Sequence, residues 1–351
     1  MKTPQSQNKK TTAADTKRQA SFFEPVQFFN SKDNFFQPDE KSGVPNIQLT
    51  PAEHIDQMLR ETIPSDPGVG RETMASNRTV INEVDQAIHR AYGRYIMGRQ
   101  RLSRVRGGVS VHNPDDFLTA FGQANRRGND PIQDVLYQRT LAGLRQQRGF
   151  TSSQFFRDVV SAIQRDAPEG LNTSQPWNST GPALSLWRAH IIVTGRQIMQ
   201  TAQGRAQLGL PEGFHEPGNG HVHVIENSPY LYMTMAHESI HYYTSDEYKR
   251  AISLVSVDNA TASGVDISDS AAVQNSAAFR NPYETFIEGG TQYFTFQLFT
   301  EGHLRGNVDV TSYQSYVNNI IRQVNRVGEE TFRRAFFSGD RDAITQIVGP
   351  Y

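Results

Sequence analysis

Apolar residues recur at helical spacing through most of the chain. Between 77 and 105, eight apolar positions follow one another at intervals close to three or four residues, which predicts a long amphipathic helix. Further helices are expected where capping residues and prolines mark a helix start, near Asn113, Asp130 and Thr151. The pattern predicts an almost purely helical region over 76–170.

A different pattern follows the turn-rich stretch 170–182. The next helix is predicted over 183–208, and the alternating sequence His-Val-His-Val-Ile-Glu at 221–226 predicts a short strand. Another helix is expected after the turn at 227–229, and packing helices are expected over 312–348. The predicted fold class is therefore α+β, mainly helical, with a small sheet.

The first 75 residues show no sustained hydrophobic period. They are polar and contain seven prolines, which predicts a disordered leader. Phenylalanine pairs occur at 22–23, 28–29 and 35–36, and a solvated tail gains nothing from exposing them. We therefore expect the pairs either to dock on the folded body or to engage a carrier. The predicted domains are the leader at 1–75, a helical domain at 76–170 and a second domain at 171–351.

Composition narrows the chemistry. Lysine and arginine number 35 against 36 acidic residues, so neither a nucleic-acid partner nor a membrane partner is predicted. The N-terminus lacks the apolar block of a signal peptide, and we expect a protein made in the cytoplasm. The chain contains no cysteine, which excludes disulfides, thiolate ligands and cysteine nucleophiles. A metal site would have to use histidine and carboxylate side chains.

The sequence His-Glu-Ser-Ile-His at 237–241 carries the candidate chemistry. Two histidines four residues apart project from one helix face, so His237 and His241 could bind a single Zn²⁺. Glu238 is rotated about the helix axis and would hydrogen-bond a water on the metal, as the general base. The spacing predicts a zinc-dependent hydrolase.

A catalytic zinc site needs a third protein ligand. Glu284 and Glu288 lie four residues apart on a second predicted helix, which the sequence Asn281-Pro282 is expected to open. One of them would bind zinc and the other could orient a ligand. The segment 253–280, which is low in hydrophobicity, is predicted to be a surface loop or a cover over the cleft.

A strand, His-Glu-x-x-His on a helix and a glutamate on a second helix together resemble the gluzincin class of zinc metallopeptidases, with a zincin-like catalytic domain. The sequence around Glu288 is similar to the Glu-Gly-x-x-x-Tyr pattern that supplies the third ligand in aminopeptidase-like members. The resemblance favours Glu288. Glu284 stays open, because other members place an acidic residue four positions after the ligand to hold a histidine. The resemblance covers about 220–295 and implies cleavage of a peptide or protein substrate.

Other functional residues are expected around this core. Peptide hydrolysis needs a donor for the developing oxyanion, and we rank His303 and Tyr313 first because both follow the ligand helix. The resemblance implies that the upstream strand holds the substrate, which assigns substrate contacts to Val222 and Val224. His221 and His223 alternate on that strand; they could share a metal, although lining the cleft or facing solvent is the simpler interpretation.

The leader suggests a biological setting. A leader with phenylalanine pairs ahead of a helical metallopeptidase loosely resembles cargo proteins of bacterial extracellular contractile injection systems. That resemblance implies a toxin or effector that the apparatus exports into a target cell, with the leader as the loading segment. The alternative is a non-enzymatic effector or structural cargo, in which the leader and the helical half bind a partner and the zincin-like fold is a catalytically silent scaffold.

Overall fold

The computed structural model describes residues 77–124, 132–216, 220–310 and 313–350. The predicted leader at 1–75, with its phenylalanine pairs, lies outside the described residues. The described part is mainly helical with one small sheet, which confirms the coarse fold class. The helices are α1 Asn77–Tyr92, α2 Pro114–Ala124, α3 Ile132–Gln146, α4 Gln154–Asp166, α5 Gly181–Ile198, α6 Ala202–Gln207, α7 Leu231–Tyr243, α8 Asp246–Ala262, α9 Ser270–Asn275, α10 Ala277–Thr300, α11 Gln314–Val327, α12 Glu329–Arg333 and α13 Arg341–Val348. None of the helices in these ranges has the length and apolar content needed to cross a bilayer.

The sheet has three short strands in the order β1-β3-β2, with bounds β1 Val109–His112, β2 Gly213–Glu216 and β3 His221–Ile225. β1 runs parallel to β3, and β2 runs antiparallel to it. The sequence predicted β3 only, because four residues are too few for the period of β1 or β2 to stand out. β3 is therefore the central strand, and β2 is an edge strand among the described residues.

The two faces of β3 have different surroundings. Val222 and Val224 are fully buried in the main hydrophobic core. Because successive side chains point to opposite faces of a strand, His221 and His223 lie on the other face. The valine face lies against α7, which is how the sheet supports the helix that carries the sequence motif.

The main hydrophobic core joins distant parts of the chain. Buried residues of α1, β3, α7, α8, α10, α11 and α13 form one cluster, with Tyr92, Tyr243, Phe294 and Phe336 among its largest members. A second cluster spans α3, α4 and α5, and it includes Trp187. Each cluster has residues on both sides of the predicted boundary at 170/171. That boundary therefore does not separate two hydrophobic cores.

Several predicted elements differ from the structure. The first helix ends at Tyr92 rather than near 105, since Gly93 and Gly98 interrupt it and Gly98 adopts a positive φ of 71°. The helix predicted over 183–208 is divided into α5 and α6. The segment 253–280 is mostly helical rather than a loop, since α8 extends to Ala262 and α9 follows. Its polar composition reflects exposed helix faces.

The helix α10 carries two glycines where neighbouring elements press against it. A Cβ on Gly289 would lie 2.9 Å from the Cβ of Tyr316 and 3.0 Å from that residue's backbone carbon and oxygen. A Cβ on Gly290 would lie 2.6 Å from the ring of Phe336. The glycines thus permit α11 and the residues after α12 to pack closely on α10, directly beside Glu288.

We expect Gly289→Ala to destabilise the protein by about 1–3 kcal/mol, because the added methyl meets backbone atoms of α11 that can move only with the whole helix. Thermal or urea unfolding measures the loss. The matched control is Gly143→Ala in α3, where the nearest atom to an added Cβ lies at 3.7 Å. That substitution should be neutral or stabilising by up to about 1 kcal/mol. Equal effects of the two substitutions would contradict the packing account.

Candidate metal centre

Three side chains from two helices meet beside the sheet. His237 and His241 project from α7, one turn apart, and Glu288 projects from α10. Their donor atoms form a small triangle: His237 Nε2 and His241 Nε2 are 3.2 Å apart, and Glu288 Oε2 lies 3.3 Å from the first and 3.2 Å from the second. The structure thus brings the predicted ligands to one point.

The size of the triangle matches a tetrahedral metal site. Zinc bonds to imidazole nitrogen and carboxylate oxygen are about 2.0–2.1 Å long, so two donors on one tetrahedral ion lie about 3.3–3.4 Å apart. The three sides of 3.2, 3.2 and 3.3 Å agree with that separation. Two imidazoles and a carboxylate also suit Zn²⁺ better than Ca²⁺ or Mg²⁺, which prefer oxygen donors alone. The three residues could therefore hold a metal ion, and their donor types fit zinc.

The helix α10 also supplies a hydrogen-bond partner to each imidazole, and for His237 that partner fixes the tautomer. His237 Nδ1 lies 2.7 Å from Gln292 Oε1, and an amide oxygen can only accept, so Nδ1 is the protonated nitrogen. His241 Nδ1 lies 3.4 Å from Thr291 Oγ1. Positions 288, 291 and 292 share one helix face, so a single face supplies the candidate carboxylate ligand and the Nδ1 partners of both imidazoles.

The charges around Glu288 favour its ionised form. Burial alone would raise the pKa of Glu288, but the imidazoles of His241 and His237 outweigh burial and hold that pKa below its usual range. Burial alone would lower the pKa of His237, but the hydrogen bond to Glu288 and the charge of Glu238 raise it. Before a metal binds, the negative charges thus favour a proton on His237, and a bound cation would replace it.

Glu238 lies between α7 and the edge strand β2. A Cβ on Gly213 would meet Glu238 Cγ at 3.1 Å and Thr234 Cγ2 at 2.6 Å, so only glycine lets the strand approach here. Burial raises the pKa of Glu238, while His237, His241 and the backbone N–H of His215 offset part of the rise. Glu238 is outside the triangle of ligands, but its charge raises the pKa of His237. A carboxylate in this position suits a general base beside a metal.

Tyr313 lies against the same cluster. Its ring stacks on the His237 imidazole, with centroids 5.3 Å apart and planes 13° from parallel. Burial and the charges of Glu288 and Glu238 raise the pKa of Tyr313 far above its usual value, so the phenol keeps its proton. Its backbone is left-handed, with φ of 59°, a conformation that is costly for a tyrosine and is often found at functional sites.

Comparison of the chain with protein-family models, with curated proteins and with solved structures finds no match.

Glu284 is placed one turn before Glu288 and has other partners. Its Oε1 accepts from Arg280 Nε at 2.9 Å, and its Oε2 accepts from the Tyr316 hydroxyl at 2.6 Å. Both oxygens are engaged away from the histidines. The geometry therefore favours Glu288 as the third ligand, and Glu284 fastens α10 to α11.

His303 does not reach the cluster. The helix α10 ends at Thr300, which is twelve residues and about 18 Å along the helix from Glu288. His303 follows that end. Its Nε2 pairs with Glu301 Oε2 at 3.2 Å. The prediction of an oxyanion donor at His303 is wrong, because following the ligand helix in sequence placed it at the far end of that helix. Tyr313 is at the cluster, and its role as a donor stays a prediction.

The substrate contacts assigned to Val222 and Val224 are also corrected. Both side chains are fully buried in the core, and β3 is paired along both edges by β1 and β2. A paired central strand offers no free backbone groups to a peptide. The strand beside the metal centre with an outer edge is β2.

Sequence reasoning missed two groups near the cluster. The His215 ring stacks on His241 with centroids 6.2 Å apart, and its Nε2 is buried with no hydrogen-bond partner in the described part of the chain. Burial, with the charges of His241 and Lys249, lowers the pKa of His215 to about 2, so this imidazole is neutral. Lys249 Nζ donates to the His241 carbonyl at 2.7 Å and caps the end of α7. Neither residue belongs to a motif, so only the three-dimensional structure identifies them.

We expect Gln292→Met to weaken zinc binding at the triangle by about 10- to 100-fold, because the isosteric thioether cannot accept the His237 Nδ1 proton as the amide oxygen does. The fold should be retained, since the Gln292 Nε2 has no hydrogen-bond partner to lose. Competition with a chromophoric chelator measures the affinity. Gln323→Met in α11 is the control: Gln323 is half-buried and its amide oxygen accepts from Arg326 rather than from a histidine, so the zinc affinity should stay unchanged. Equal affinity in both variants would show that Gln292 does not orient the ligand.

Proposed function

We propose that the chain is a zinc-dependent hydrolase of peptide bonds, with the domain architecture of a gluzincin. The observation that carries the proposal is the triangle of His237, His241 and Glu288, whose sides equal the donor separations of a tetrahedral zinc ion. Glu238 beside it supplies the general base that a hydrolytic zinc site needs and a purely structural site does not. The order of elements along the chain, with the strand β3 followed by α7 with the two histidines and then α10 with the glutamate, supports the gluzincin class.

Each residue has a separate role in the proposed reaction. A zinc ion bound by the triangle would act as a Lewis acid on the scissile carbonyl and on water. Glu238 takes a proton from the attacking water and delivers it to the leaving nitrogen, as the new carbon–oxygen bond forms and the carbon–nitrogen bond breaks. Its raised pKa suits a group that must both accept and return a proton. The phenol of Tyr313, which is protonated and stacks on the His237 imidazole, would donate a hydrogen bond to the developing oxyanion.

The accessible side of the centre is the side of Glu288. The side chains of His237 and His241 are 8 % and 12 % exposed, whereas that of Glu288 is 26 % exposed. The outer edge of β2 runs along this region, with the backbone N–H of His215 directed at Glu238. An extended peptide could align with that edge by backbone hydrogen bonds, which supports a peptide as the substrate class.

The test is cleavage of a mixed peptide library by the zinc-loaded full-length protein, with new termini identified by mass spectrometry. The proposal predicts cleavage that chelation abolishes and added zinc restores. If the loaded protein cleaves no peptide, the alternative of a silent zincin-like scaffold that acts as a non-enzymatic effector becomes the better account. Loading by a contractile injection apparatus through 1–75, with export as a toxin, stays a separate proposal that rests on the resemblance of the leader.

A further inference from the structure

A second group of metal-ligating side chains lies on the sheet face opposite α7. Glu216 of β2 and His221 and His223 of β3 each bring one donor atom within 4.8 Å of the other two. Glu216 and His221 are directly paired across the strands, and His223 follows two residues later on the same face. One strand pair thus sets the spacing of all three.

His223 is held in one orientation. Its Nδ1 lies 2.9 Å from His112 Nε2, and its ring stacks on Phe214 with centroids 4.5 Å apart and planes 9° from parallel. These contacts occupy one nitrogen and one face of the imidazole. The other nitrogen, Nε2, is directed toward Glu216.

The Nε2 of His223 is buried and has no partner within hydrogen-bond distance among the described residues. It lies 3.6 Å from Glu216 Oε2, which is too far for a hydrogen bond. Two donors that share a tetrahedral zinc ion lie about 3.3–3.4 Å apart, so this gap is close to the one a metal would bridge. A cation between the two atoms would coordinate a buried nitrogen whose nearby carboxylate is beyond hydrogen-bond length.

We propose that Glu216, His221 and His223 form a second binding site for a divalent metal ion. Two imidazoles and one carboxylate select borderline ions such as Zn²⁺, Co²⁺ or Ni²⁺ rather than Ca²⁺ or Mg²⁺. His112 is the outer partner: with the His223 Nδ1 proton donated to it, the Nε2 lone pair is directed at the metal. The arrangement repeats the role that Gln292 plays for His237.

The location suggests what this metal would do. It would bind β2 to β3 through side chains, in addition to the few backbone hydrogen bonds that a four-residue strand can make. The neighbouring residues Gly213 and His215 on β2 approach Glu238 from the opposite side. The second ion would therefore fix the strand that forms the wall of the first centre, without contact with the first ion.

Zinc titration of the full-length protein by calorimetry, with elemental analysis, tests the proposal. Wild type should bind two zinc ions per chain, and a variant with both His221→Ala and His223→Ala should bind one. His190→Ala in α5, a histidine outside both groups, should bind two. The proposal is overturned if the double variant binds as many ions as wild type, or if wild type binds one ion that the His237→Ala variant loses.

Two further measurements distinguish loss of the second zinc site from misfolding and from loss of the first centre. In chelator, the double variant should melt below wild type, because it loses the contacts of His223 with Phe214 and His112. Added zinc should then raise its melting temperature less than that of wild type. If the double variant does not fold, Glu216→Gln, which keeps the side-chain shape, should weaken binding of one zinc at least about 10-fold. A His237→Ala and His241→Ala variant should retain the second ion.

Discussion

Replacing Glu238 by glutamine is expected to lower kcat for peptide cleavage by about 10²- to 10⁴-fold while zinc binding stays at the wild-type level. The amide has the shape of the carboxylate but cannot accept the proton of the attacking water. The carboxylate lies outside the triangle of donor atoms, so its loss removes no ligand. Steady-state kinetics on a peptide identified from the library, with zinc content measured on the same sample, checks both parts.

Glu247→Gln is the matched control for Glu238→Gln. Glu247 lies in the first turn of α8, whereas the three ligands of the triangle lie on α7 and α10. Its substitution should therefore leave kcat unchanged. Retained activity in Glu238→Gln would exclude Glu238 as the general base. Loss of zinc together with activity would instead make Glu238 a ligand or a support for one.

Replacing Glu288 by alanine is expected to weaken zinc binding at the triangle by more than about 100-fold and to abolish cleavage. Removal of an outer partner already costs about 10- to 100-fold, and the loss of a direct ligand should cost more. Without its carboxylate, the site keeps only two imidazoles, 3.2 Å apart, and neither carries a negative charge. Zinc affinity by chelator competition gives the result.

The comparison that decides the third ligand is Glu284→Ala. Glu284 binds Arg280 and Tyr316 and is one helical turn from Glu288, so its removal should lower stability modestly and leave zinc affinity nearly unchanged. The reverse outcome, with affinity lost in Glu284→Ala and kept in Glu288→Ala, would exchange the roles of the two residues.

The parts of the centre that the sequence predicted are those set by helical geometry. The spacing of His237 and His241 places both on one face of any helix, and the alternation at 221–226 indicates a strand whichever strands flank it. Glu288 was selected by a family resemblance from two candidates. Helical geometry could not separate it from Glu284, because both lie on the same face of α10.

The parts that could not be predicted depend on how distant segments meet. Thr291 and Gln292 support the histidines only because α10 crosses α7 at that level. His215 lies in β2, a four-residue strand that is too short for its sequence pattern to be recognised. His303 and the two valines were misassigned because proximity in sequence was taken for proximity in space, whereas the length of α10 and the pairing of β3 decide where those side chains lie.

The central claim is that His237, His241 and Glu288 hold the zinc ion that activity requires. Elemental zinc analysis of wild type and of the His237→Ala, His241→Ala double variant, purified in the same buffered zinc, tests it most directly. The account predicts that the variant contains one zinc ion per chain fewer than wild type, with its helical circular dichroism retained. Equal zinc content in the two folded proteins would contradict the account.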